Sequence, residues 1–175
     1  MHVARKVDAL RAKFWQPETV LDRFDLHLLN LVQRDDSRTA DSLAQEVPLS
    51  PSAIARRLRH LRREGWIART IGLLSPKLTQ SRLRAVVLVQ LGEHCNLPAK
   101  TALEKRLHEA PQVQFFYEIA GPHDFAVLFD CANMGEFNDA ANDLLASSPA
   151  VRRYETHFVK REVKFAPFVE LSDNR

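Results

Sequence analysis

Between Ser50 and Gly65 the chain marks both ends of one helix and gives its faces different tasks. The Ser50 side-chain oxygen can accept from an orphan amide, and Pro51 brings the φ that a first helical position needs. Gly65 supplies the stop after Glu64. Ile54, Leu58 and Leu61 fall at i, i+4 and i+7 and predict one buried stripe. Just upstream, Thr39 or Ala40 to Val47 reads as a short helix with Leu43, Ala44 and Val47 inward. Pro48-Leu49-Ser50-Pro51 leaves room only for a tight turn. Leu21 to Gln33 reads as another helix, which Asp22 can cap, with Phe24, Leu28, Leu31 and Val32 on one face. Arg34-Asp35-Asp36-Ser37 breaks it. Three helices, the last two joined by a tight turn, predict a helix-turn-helix unit.

Charge is concentrated in the same place. Residues 1–76 hold 13 Lys and Arg against 9 Asp and Glu, whereas residues 77–175 hold 12 against 13. Ser50 to Arg69 carries six arginines (Arg56, Arg57, Arg59, Arg62, Arg63 and Arg69) and one acid, Glu64. A local basic block on a nearly neutral chain predicts contact with a polyanion at one place. Its plainer alternative is a solvated helix face.

The second half changes period. Trp66 to Leu74 reads as a short strand and hinge. Arg84–Leu91, Val113–Ala120, Asp124–Cys131 and Val151–Lys164 read as strands, and Pro98–Ala110 and Met134–Ala146 as helices. The order βαββαβ with right-handed crossovers predicts a four-stranded antiparallel sheet with both helices on one face, the ferredoxin-like arrangement. The other face needs a cover, and a second copy of the same sheet predicts a symmetric dimer. Val3, Val7, Leu10 and Phe14 predict a further amphipathic helix in an N-terminal arm. The expected division is therefore arm 1–20, helix-turn-helix 21–66, hinge 67–80, ferredoxin-like domain 81–168 and tail 169–175.

Three stretches together resemble the Lrp/AsnC (feast/famine) family of transcriptional regulators. They are Leu21-Asp22-x-x-Asp25; LAQEVPLSPSAIARRLRHLRREGWI from Leu43 to Ile67; and Gly121-Pro122-His123-Asp124 followed by Thr156-His157-Phe158 and Val163-Lys164. The resemblance spans about residues 21–168. It implies an α+β chain with a winged-helix-like DNA-binding unit and a ferredoxin-like domain that dimerises through its sheet. It also implies binding to a palindromic operator in double-stranded DNA, modulated by an amino acid or related metabolite, in dimers that assemble to tetramers or octamers. The family's usual Val-Gly-Leu-Ser turn is here Val47-Pro48-Leu49-Ser50. Proline fixes φ and disfavours helix at the residue before it, so the turn must be built differently.

An α-helix fits the major groove, and residues near the recognition helix N-terminus meet base edges. Ser52, Ala53, Arg56 and Arg57 are the expected base or groove contacts. Arg59, His60 and Arg63 are expected at phosphates, with Ser50 and Thr39 donating from helix starts. Each arginine has a second reading as a surface ion pair, for instance Arg57 with Glu64. For the effector, the resemblance implies Gly121, His123, Asp124, Met134, Thr156, His157 and Phe158. Asp124 suits an ammonium group. The amides around Gly121 and the Thr156 hydroxyl suit a carboxylate, and His157, Phe158 and Met134 suit a side-chain pocket. The alternative is that Gly121 makes the hairpin turn, Asp124 caps it, and the histidines are structural.

Nothing in the sequence suggests an enzyme: there is no phosphate-binding loop, nucleophile elbow or carboxylate pair. A sirohaem-decarboxylase-like enzyme would have a degenerate helix-turn-helix, and a non-specific DNA-coating protein remains the other alternative. Cys95 and Cys131 have no zinc-ligand spacing, so neither metal nor cofactor is expected. No signal peptide or membrane span is expected, and the predicted location is the cytosol, on the nucleoid.

Overall fold

A computed structural model describes residues 21–93 and 95–172. The expected N-terminal arm lies outside the described residues. The chain forms two compact units. One is Leu74–Val163; the other joins the described residues up to Leu73 with those from Lys164 onward.

The first unit opens with α1, Arg23–Val32. Asp22 accepts from the amides of Phe24 at 2.8 Å and Asp25 at 2.9 Å, and the Asp25 carboxylate accepts back from the Asp22 amide at 3.2 Å. This reciprocal cap satisfies donors that the first turn leaves without partners. Helix α2 is a single turn, Ala40–Leu43, capped by Thr39. It stops well short of the expected Val47. Pro48 disfavours helix at its predecessor, and the chain instead turns through Val47, whose amide bonds Leu43 O at 2.9 Å. Helix α3 is Pro51–Arg63, with Ser50 accepting from the Ala53 amide at 3.3 Å. Gly65 sits at φ +79°, where any Cβ would be strained, and lets the Trp66 amide turn back to Leu61 O at 2.9 Å.

Leu28, Leu43, Val47, Ile54 and Leu61 are almost fully buried together, with Leu29, Val32 and Leu58 beside them and Trp66 and Ile67 at the edge. Each such side chain removed from water contributes about 1.5–3 kcal/mol. The strand expected over Trp66–Leu74 does not form. The segment has no ladder partner among the described residues, and Ile71 and Leu73 stay exposed.

The second unit begins with a short helix the sequence reading missed, α4 at Pro76–Thr79, started by the same Ser-Pro signal as α3. There follow β1 (Leu83–Leu91), α5 (Leu97–Glu109), β2 (Val113–Glu118), β3 (Phe125–Cys131), α6 (Met134–Ala141) and β4 (Val151–Phe158). The strand order is β2-β3-β1-β4, antiparallel throughout, as the ferredoxin-like arrangement requires. Strand β2 ends at Glu118 rather than Ala120 and β4 at Phe158 rather than Lys164. The helical stretch from Met134 ends at Ala146 as expected, its last turn over Asn142–Ala146 π-helical, with Leu144 and Leu145 buried.

One sheet face carries Ala85, Val87, Val89, Phe125, Val127 and Phe129. It packs against Leu103 and Leu107 of α5 and Phe137 and Ala141 of α6, with the Cys131 thiol buried at its end. The Phe129 and Phe137 rings meet edge to face, their centroids 5.7 Å apart. The opposite face is open. Val86, Phe115, Tyr117, Ala126 and Leu128 line a shallow apolar hollow there.

Candidate functional site

Helix α3 has two opposed stripes. Ile54, Leu58 and Leu61 point into the core, and Ser52, Arg56, Arg59 and Arg63, at i, i+4, i+7 and i+11, lie on the far side and are exposed. The arginines of the basic block then divide by their partners. Arg62 bonds Asp36 Oδ1 at 2.6 Å, and Thr70 donates to Asp36 Oδ2 at 2.7 Å. Arg63 bonds Glu64 at 3.0 Å and lies 3.0 Å from His60 Nδ1. Arg56 and Arg59 form no ion pair with any described residue and present their charge to solvent, as does Arg69.

Arg57, expected at a base edge, is held by two acids at the start of α1. Its Nη1 lies 2.8 Å from Asp22 Oδ2 and 2.8 Å from Asp25 Oδ1, and its guanidinium stands 5.7 Å from the Phe24 ring centre. The bond to Asp25 chiefly holds the Arg57 pKa above its usual value. At Asp22 burial pushes the carboxyl up. The Asp25 and Phe24 amides and the Arg57 guanidinium outweigh that push, so the group titrates below its ordinary value. At 100° per residue Arg57 sits beside the core stripe, not opposite it. That angle was available in the sequence and separates Arg57 from Arg56. The alternative partner Glu64 is likewise not the one used; it pairs with Arg63 and stands 3.6 Å from His60.

Thr39 and Ser50 act first as caps, their oxygens accepting from Ser42 and Ala53 amides. Ser50 Oγ also lies 3.1 Å from Ser52 Oγ. Ala53 is half-buried behind them.

The candidate effector residues fall into separate groups in one protomer. Gly121, at φ +152°, forms the β2–β3 turn with His123 and Asp124. Asp124 Oδ2 accepts from the Leu91 amide at 2.8 Å, where the β1–β4 register slips between Gln90 and Leu91. The carboxylate therefore caps a neighbouring strand, a role that a local hairpin cap would not fill. His123 is mostly buried, its Nε2 3.6 Å from Glu155 Oε1. Met134 lies past the far end of β3, some seven strand residues or about 20 Å from that turn. Thr156 pairs with Val87 and Phe158 with Ala85, on the helix-covered face, where the Phe158 ring meets Phe137 at 5.3 Å. His157 pairs with Val86 on the open face.

Two family profiles match: a winged helix-turn-helix DNA-binding domain over residues 21–68, and the Lrp/AsnC ligand binding domain over residues 84–167. The chain belongs to the Lrp/AsnC family. It is 30% identical over 156 residues to the glutamate uptake regulatory protein of Zymomonas mobilis, covering 87% of this chain and 94% of that one. It is 27% identical over 152 residues to the leucine-responsive regulatory protein of Salmonella typhimurium, covering 85% and 90%. Among solved structures it resembles a Neisseria meningitidis transcriptional regulator in its L-Met complex, with a TM-score of 0.77, 26% identity, and 89% and 98% of the two chains covered. Like other Lrp/AsnC members, the protein is thus a helix-turn-helix transcriptional regulator with a ligand-binding domain. No described helix is long and apolar enough to cross a membrane.

Proposed function

We propose that this Lrp/AsnC regulator reads a palindromic operator through Ser52, Arg56, Arg59 and Arg63, with Ala53 and His60 flanking that stripe. Thr39 and Ser50 donate to phosphates from their helix starts. The observation that carries this reading is the contrast among the arginines: Arg57 and Arg62 are tied to acids on other segments, and Arg56 and Arg59 face water without an ion-pair partner among the described residues. Leaving two adjacent cationic side chains unpaired opposite a packed core stripe suits a polyanion. Arg57 supports the reader without touching DNA.

The open sheet face is the surface on which two copies pair, and the pairs assemble further. The effector is an amino acid, the class to which the L-Met of the Neisseria complex belongs. Gly121, His123, Asp124, Met134, Thr156, His157 and Phe158 do not converge within one protomer, so they serve the effector across junctions between copies. Such a protein works in the cytosol, on the nucleoid. Filter binding to the duplex upstream of its own gene, across a salt series and with each of the twenty amino acids, tests the reading. A defined palindrome protected first, with affinity moved by one class of amino acid, is the expected result. Spreading without a preferred start, or indifference to that duplex at low salt, overturns it.

A further inference from the structure

The chain passes between its two units twice, at residues 73–74 and again at 163–164. The second passage brings the extended C-terminal segment onto α1. Asn30 lies in the last turn of that helix, Gln33 is its C-cap and Arg34 follows, at i, i+3 and i+4. Asn30 Nδ2 donates to Leu171 O at 2.7 Å, and Asn30 Oδ1 accepts from the Leu171 amide at 2.9 Å. Gln33 repeats the arrangement on Val169, its Nε2 donating to the carbonyl at 2.5 Å and its Oε1 accepting from the amide at 3.0 Å. Each side-chain amide thus satisfies both backbone groups of one residue, as a neighbouring strand would. Asn30 and Gln33 are about 4.5 Å apart along the helix and alternate residues of an extended chain about 6.6 Å, a difference that the two side chains span. Glu170 pairs with Arg34 at 2.8 Å, the Arg34 guanidinium lies 4.3 Å from the Phe168 ring centre, and Leu171 packs on the first unit's core.

At its other end, α1 holds the recognition helix: Asp22 and Asp25 grip Arg57 of α3. We propose that residues 164–172 are a strap that positions α1 and, through the Asp22–Asp25–Arg57 contact, the DNA-reading stripe of α3. The DNA-binding unit is then discontinuous in sequence, completed by a segment that follows the last strand of the ligand-binding domain. Asn30 and Gln33 are positioning residues that act through α1. The part of this inference concerning DNA rests on the proposed function; the part concerning α1 does not.

The test uses the full chain carrying N30A and Q33A together, substitutions that favour helix. Backbone hydrogen exchange should accelerate about tenfold across α1 and stay unchanged in β1 and β3. Duplex affinity, read by anisotropy of a labelled operator, should fall about tenfold with its salt slope unchanged, because no phosphate contact is removed. In a chain ending at Val163, α1 exchange should be fast and should slow again when a peptide of residues 164–175 is added. The same peptide N-methylated at Val169 and Leu171 should not slow it. Unchanged α1 exchange in the double variant overturns the strap, as does protection by the methylated peptide. A salt slope reduced by about one overturns the positioning role in favour of direct contact. A wild-type chain that ignores the duplex while the exchange difference stands overturns the DNA reading and leaves the strap in place.

Discussion

Arg57 Nη1 stands 2.8 Å from Asp25 Oδ1, joining the recognition helix to the capping box of α1. Asp25 is buried, so removing its partner leaves a carboxylate with too little compensation. R57A should cost about 2 kcal/mol in urea unfolding and leave the salt slope of DNA binding unaltered. R56A should do the reverse, with stability within about 0.5 kcal/mol of wild type and a slope lower by about one. Equal effects of the two variants would show that they share a role.

The Asp22 carboxyl titrates below its ordinary 3.8 in the folded chain. In that range the unfolded chain binds more protons, so the stabilisation is complete above 3.8 and is lost as pH falls through the lower folded value. Trp66 fluorescence, followed through an acid titration of the W15F chain, should show the first unit loosening below that point. D22N, which can still cap α1, should flatten this part of the curve.

D124A should lower stability by about 1–2 kcal/mol, because it strands the Leu91 amide at the β1 register slip. Chemical denaturation without any effector measures this. A neutral result would show that the Asp124–Leu91 bond adds nothing to the stability of the sheet.

Tyr117 projects from the open sheet face and is 58% exposed. Y117E should leave the far-ultraviolet circular dichroism of the folded chain near wild type. In sedimentation it should raise the dimer dissociation constant by at least about a hundredfold, since a charge buried without a partner costs several kcal/mol. An undiminished dimer would place the pairing surface elsewhere.

What could be read from the sequence was whatever depends on near neighbours. Ser50, Pro51 and Gly65 bounded α3 to within a residue, and the βαββαβ order fixed the sheet because strand and helix periods differ. What escaped depends on partners distant in sequence. Trp66–Leu74 has a strand's composition and no described strand beside it. Beyond Phe158, residues of similar pattern leave the sheet. The acids that hold Arg57 lie more than thirty residues upstream, so the basic run itself does not announce them, although Arg57 lies beside the core line of the helix. The grip of Asn30 and Gln33 on Val169 and Leu171 uses backbone groups, which every sequence has, so no residue pattern announces it.

The Cys131 thiol, at the end of β3, lies in the core, where burial first, and then the charges of Glu136 and Asp130, raise its pKa. It forms little thiolate at neutral pH and offers no path to a reagent. Cys95, just before α5, is partly exposed. A maleimide fluorophore mixed with the native protein should therefore modify Cys95 selectively, making the wild-type chain its own single-dye reporter without engineered thiols.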